Sequence, residues 1–103
     1  MMGLPYARST SDDVARAVDP AVTGNELLPY AVHRNAVVRA AVAARTDCPV
    51  GALISLGHDH DPSVLEAILR NARTPSSVVR ALADHRNLKI ADLAAQRLRN
   101  SFR

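Results

Sequence analysis

Apolar positions recur along this chain in short helical runs, and the runs themselves return every 26 residues. Val38 returns as Val64 and Ile90, Ala41 as Ala67, Leu53 as Val79, Leu56 as Leu82 and Pro49 as Pro75. Asn35, Asp61 and Asn87 share one polar slot ahead of three of these runs. A fixed period of about 20–50 residues marks stacked supersecondary units, none of which buries its apolar stripe alone. No segment alternates apolar and polar residues, so no sheet is expected. The pattern predicts an all-α chain of about seven short helices, paired into hairpins and stacked as an α-solenoid.

Residues 1–10 carry no period and are expected to be a poorly ordered lead. Residues 11–103 then form one helical-repeat domain, with repeats at about 11–34, 35–60 and 61–86 and a capping helix at 87–103. Ser11-Asp12-Asp13 offers an N-cap and early negative charge to a first helix, with Val14, Ala15 and Val18 as its stripe. Leu27, Leu28 and Ala31 are the inward set of the next element. There Pro29 demands a short helix starting beside it or a 3₁₀ turn. From Asn35 the spacing sharpens: Val37, Val38, Ala41 and Val42 share one stripe, then Val50, Leu53, Ile54 and Leu56, with Gly57 closing. Pro49, Pro62 and Pro75 fit first helical positions, and Thr74 fits a cap. Val64, Leu65, Ile68 and Leu69, then Val78, Val79, Leu82 and Ala83, then Ile90, Leu93, Ala94 and Leu98 complete the predicted core.

Val38-Arg39 and Val42-Ala43, followed by Asn71, Thr74-Pro75, Val79 and Leu82-Ala83-Asp84, resemble the leucine-rich repeat variant family over roughly residues 35–98. The resemblance implies a right-handed superhelix of alternating α- and 3₁₀-helices; HEAT-like repeats are the nearest rival and imply almost the same picture. Its best-known member type carries an N-terminal cysteine cluster for an iron–sulfur centre. Nothing here matches that cluster, so no cofactor is carried over.

Composition refines the shape. Almost half of the residues are apolar but only three are aromatic, Tyr6, Tyr30 and Phe102, so the core must be a thin layer of Ala, Val and Leu. The net charge is +3, from 13 basic and 10 acidic residues, and twelve of the basic residues are Arg, a usage that suggests a bacterial source. This balance permits phosphate contacts without demanding them. Cys48 is the single cysteine, which excludes an internal disulfide or thiolate cluster and fits a reducing compartment. No run approaches the ~20 apolar residues of a membrane span, and no signal-peptide core opens the chain; a cytoplasmic location is expected.

The histidines carry the candidate chemistry. They fall in equivalent turns, His33-Arg34, His58-Asp59-His60-Asp61 and Asp84-His85-Arg86. Stacking would align these into a ridge with neighbours about 10 Å apart. Side chains there either cap helix ends or form a surface whose charge changes near neutral pH. The candidate partner-binding ridge is His33, Arg34, His58, His60, His85 and Arg86. Metal binding through His58, His60, Asp59 or His85 is the sharpest alternative, although adjacent loop histidines lack the i, i+4 geometry of a helical site. Arg39, Arg45, Arg70, Arg73, Arg80, Arg97 and Arg99 read as solvated charge, and as the surface for a second reading, weak nucleic-acid binding. Interspersed acids and the lack of aromatic stacking platforms argue against it. Arg97, Arg99, Asn100 and Arg103 read as a solvated terminal cap. No nucleophile–base pair or Gly-rich phosphate loop is present. The expectation is a non-enzymatic module that binds another protein through one face or ridge. Its thin terminal units also allow pairing of two copies.

Overall fold

The computed structural model describes residues 9–101. Among them the chain is all-helical with no strand. The helices are α1 (Thr10–Val18), α2 (Leu28–Ala31), α3 (Ala36–Ala43), α4 (Val50–Leu56), α5 (Pro62–Arg70), α6 (Ser76–Leu82) and α7 (Leu88–Asn100). A 3₁₀ turn at Gly24–Leu27 runs directly into α2. The expectation for residues 1–8, and for Arg103 in the terminal cap, lies outside the described residues. No described helix is long and apolar enough to cross a membrane.

The 26-residue period of the sequence reappears in the element boundaries. The longer helices α1, α3, α5 and α7 start at Thr10, Ala36, Pro62 and Leu88. The shorter elements start at Gly24, Val50 and Ser76. The longer set starts in register because each is preceded by a capping side chain in the same slot. Ser9 accepts from the Asp12 N–H, Asn35 from Val37, Asp61 from Ser63, and Asn87 from Lys89 and Ile90. Each such cap satisfies one of the N–H groups that a helix start leaves without a partner.

The first cap corrects the sequence reading: it is Ser9, not Ser11. Thr10, expected in the lead, and Ser11, expected as the cap, therefore both belong to the helix. The prolines are shifted as well. Pro49 and Pro75 stand one residue ahead of α4 and α6, at φ −56° and −58° but with extended ψ of 140° and 144°. Pro62 occupies the first position of α5 as expected. At Pro29 both options occur in series, a 3₁₀ turn and then a four-residue helix with proline in its first turn, where no amide is missed.

α3 packs against α1 and α5, and α7 packs against α5 and α6. α5, enclosed on both sides, buries Val64, Leu65, Ile68 and Leu69 together. Leu53 and Val79 occupy the fourth position of α4 and α6 and are both buried. Several expected core residues point outward instead: Ala15, Val18, Leu28, Val37, Val50 and Ile54 are exposed. Each of these short helices keeps one side uncovered by its neighbours. Residues on that side satisfy the helical spacing without being covered. In α1 the covered residue is Ala17, with Val14 half-buried, and in α4 Ala52 joins Leu53 and Leu56.

Gly57 ends α4 with an ordinary right-handed φ of −65°, so backbone freedom is not why glycine stands there. Space is: a Cβ at Gly57 would lie 2.5 Å from Val78 Cγ1 and 3.2 Å from the Ile54 carbonyl oxygen. α4 and α6 thus meet through a glycine notch filled by valine. Gly57→Ala is expected to destabilise the protein by about 1–3 kcal/mol through overpacking. In the Val78→Ala background the same change should cost at least about 1 kcal/mol less, as contacting pairs couple. Equal costs in a urea-denaturation cycle would disprove the notch.

Candidate interaction surfaces

Two polar systems bind each repeat to the one before it, at opposite ends of the longer helices. At the C-terminal end, one slot repeated every 26 residues reaches back to main-chain carbonyls. Arg45 Nη1 donates to the carbonyls of Ala17 at 2.9 Å and Asp19 at 2.8 Å. Asn71 Nδ2 donates to Ala43 and Arg45, both at 2.8 Å. Arg97 Nη1 donates to Leu69 at 2.8 Å and Asn71 at 2.6 Å. Each side chain therefore caps the end of the preceding long helix, where carbonyls lack intrahelical partners. A parallel set covers the following turn. Arg73 Nη1 reaches Thr46 and Cys48, and the second amine of Arg97 reaches the equivalent Ala72 and Thr74. Asp47 grips Arg45 with two hydrogen bonds of 2.8 Å, which hold the guanidinium in its bridging orientation.

This system was not legible as read above, because Arg45 and Arg97 were taken as solvated. Both are half-buried, and burial lowers the pKa of the Arg97 guanidinium. The available signal was the column Arg45, Asn71, Arg97, three donor side chains in one slot.

At the N-terminal end the histidine turns serve the same purpose. His33 Nδ1 accepts from the Asn35 N–H at 3.0 Å, leaving Nε2 to meet Asp13 Oδ2 on α1 at 2.9 Å. Asp59 takes the equivalent place: Oδ1 accepts from the Asp61 N–H at 2.9 Å, and both carboxylate oxygens accept from Arg39 on α3, at 2.7 and 3.1 Å. His85 Nδ1 accepts from the Asn87 N–H at 3.0 Å. Arg39 also donates to the carbonyls of His33 and Arg34, so it too is a bridging residue rather than solvated charge. Glu66 on α5 and Lys89 on α7 form an ion pair at 2.8 Å.

The predicted ridge therefore divides. His33 and His85 are half-buried and face their own helix caps. Arg34, His58, His60 and Arg86 are exposed, and their side chains make no hydrogen bond or ion pair among the described residues. Among the described residues no group of three or more His, Cys, Asp or Glu side chains could hold a metal ion. Cys48 is fully buried with Sγ 3.6 Å from the Pro49 carbonyl, and burial raises its thiol pKa, the opposite of nucleophile activation. Thr74, in the same slot, is also buried. Its hydroxyl donates to the Ile68 carbonyl at 2.7 Å, so it caps the end of α5 rather than the start of α6.

The surface feature absent from the sequence reading is an apolar groove of about 480 Å³ between α2 and α4. Leu28, Ala31, Val32, Pro49, Gly51 and Ala52 line it, with Asn25 and Ser55. Val50 and Ile54 add exposed aliphatic surface on α4, and Val32 is 80% exposed. In the third repeat the matching positions are polar: Leu28 and Ile54 correspond to Arg80, Val50 to Ser76, and Val32 to Asp84.

No protein-family model, curated protein or solved structure matches the chain.

Burial works to raise the Asp59 carboxyl, but the Arg39 hydrogen bond, the Asp61 N–H and the Arg39 charge outweigh it, so Asp59 titrates below the ordinary carboxylate value. A lowered folded pKa contributes stability above the unfolded value of about 3.9 and loses it as pH falls through the folded value. The expected outcome is that the wild type loses more stability than Asp59→Asn between about pH 5 and pH 2.5. Parallel acid profiles of the two proteins would contradict this.

Proposed function

We propose that this chain is a non-enzymatic helical-repeat module of the cytoplasm, a right-handed α-solenoid of leucine-rich-repeat-variant type that binds another protein. The shape reading is supported by the shared 26-residue spacing of element starts and by the ties at both ends of successive long helices. The overall extents of 56 × 26 × 17 Å also favour it. In such a stack the short elements α2, α4 and α6 lie along one face, and open repeat stacks present such faces to partners.

The observation that carries the binding reading is the groove between α2 and α4. Exposed Leu28 and Val32 line it, and α4, which forms its other wall, also exposes Val50 and Ile54; apolar surface gathered in this way marks an interaction site where scattered residues do not. The occupant is an apolar segment of a partner protein, with Arg80 and Asp84 as polar limits at the far end. Pairing of two copies end to end is less favoured, because α7 exposes Asp92, Gln96 and Arg99. Nucleic-acid binding through the arginine faces is also less favoured. Arg39, Arg45, Arg73 and Arg97 are already bonded to the protein itself.

The test is quantitative affinity capture from the native host with wild type, Leu28→Glu/Ile54→Glu and Arg80→Ala. A partner held by wild type and Arg80→Ala but lost from the double variant, with unchanged helical circular dichroism, is the expected result. Equal capture by all three proteins would reject the groove.

A further inference from the structure

We propose that the exposed column Arg34–His60–Arg86 binds an acidic segment of a partner protein, in an extended conformation that presents a carboxylate on every third residue. This rests on the protein-binding reading above but uses a different surface from the α2–α4 groove.

The three residues each stand one place ahead of an N-cap, Asn35, Asp61 and Asn87. The helices that follow, α3, α5 and α7, pack in succession. They run parallel, because bonds join the start of α3 to the turn ahead of α5 and the end of each long helix to the next repeat. The three side chains therefore form a row with steps of about 8–10 Å, the distance between packed helix axes. None of the three has a hydrogen-bond or ion-pair partner among the described residues.

Nearby charge is already committed. Asp59 is held by Arg39. Asp61 Oδ1 accepts from both the Ser63 N–H and hydroxyl. His33 and His85 are turned to their own caps. The N-terminal ends of α3, α5 and α7 add partial positive charge along the same edge. What remains toward solvent is a short row of two arginines with the His60 imidazole between them, and Asp84 and His58 exposed beside it.

The spacing selects the ligand. A polyproline-II chain has three residues per turn and rises about 3.1 Å per residue, so every third side chain returns to one face after about 9 Å. Carboxylates at that interval meet the row one by one, and the two arginines can each grip a carboxylate with paired hydrogen bonds. A duplex carries a charge about every 1.7 Å of its axis. Most of its phosphates would find no cation here.

The experiment is fluorescence anisotropy at low salt with labelled (Glu-Pro-Ala)₄ and with a peptide of the same composition whose glutamates are contiguous. The proteins are wild type, Arg34→Ala/Arg86→Ala, the exposed control Arg70→Ala/Arg99→Ala, and the groove variant Leu28→Glu/Ile54→Glu. The expected result is that the spaced peptide binds wild type at least about fivefold more tightly than the contiguous one. Affinity should fall about tenfold in Arg34→Ala/Arg86→Ala, consistent with two exposed ion pairs, and stay within about twofold in the other two variants. Equal binding of the two peptides, equal loss in the control variant, or loss in the groove variant would overturn the proposal. Tighter binding of a 12-base-pair duplex with the same arginine dependence would overturn it in favour of a nucleic-acid surface. Absence of peptide binding alongside intact groove-dependent capture would remove the column and leave the protein-binding module standing.

Discussion

Short helices end too soon to satisfy their own carbonyl groups, and this constraint organises the molecule. An α-helix leaves its last four carbonyls without intrahelical partners. In the nine residues of α5 that is nearly half of them. The answer here is borrowed from the next repeat: Arg45, Asn71 and Arg97 each reach back to the main-chain carbonyls 28 and 26 residues earlier. Because carbonyl positions are fixed by the helix, these bonds set both the spacing and the register of successive repeats. Asn71 is the buried case, with amine and carbonyl groups both engaged, and its Oδ1 takes the Arg73 N–H at 2.9 Å.

The opposite edge solves the matching problem for helix starts with different residues in one slot. His33, Asp59 and His85 each accept the N–H two residues on. The tie to the preceding helix then varies. It is Asp13 to His33 in one repeat and Arg39 to Asp59 in the next, with acid and base exchanged. The third copy has Leu65 where Asp13 and Arg39 stand, and the Glu66–Lys89 pair links α5 to α7 instead. The spatial role repeats where the residue type does not.

That distinction decides what the sequence could tell. Period, all-helical class, most caps and the cores of α5 and α7 were legible, because an apolar residue and a capping Asn or Asp declare their roles by type. Ser9 followed from Asn35 by stepping back one period, but Ser11-Asp12-Asp13 has the composition of a helix start and obscured it. Val37, Val50 and Ile54 obey helical spacing yet face solvent, since the neighbouring elements leave one side of each short helix uncovered. Arginine is the hardest residue to place: the same side chain is solvated at Arg70 and bound to five backbone carbonyls at Arg97. Only comparison down the slot Arg45, Asn71, Arg97 separates the two. The groove between α2 and α4 was hidden because Leu28 and Ala31, which line it, were assigned to the core.

The most direct test of the account is the stability of Asn71 variants in urea. Asn71→Ala leaves the carbonyls of Ala43 and Arg45 without their donor and should cost about 1–3 kcal/mol. Asn71→Asp, of nearly the same size, turns an acceptor toward those carbonyls and should cost more than alanine does. If aspartate is tolerated as well as alanine, or if alanine costs less than about 0.5 kcal/mol, the inter-repeat carbonyl capping does not hold the repeats together.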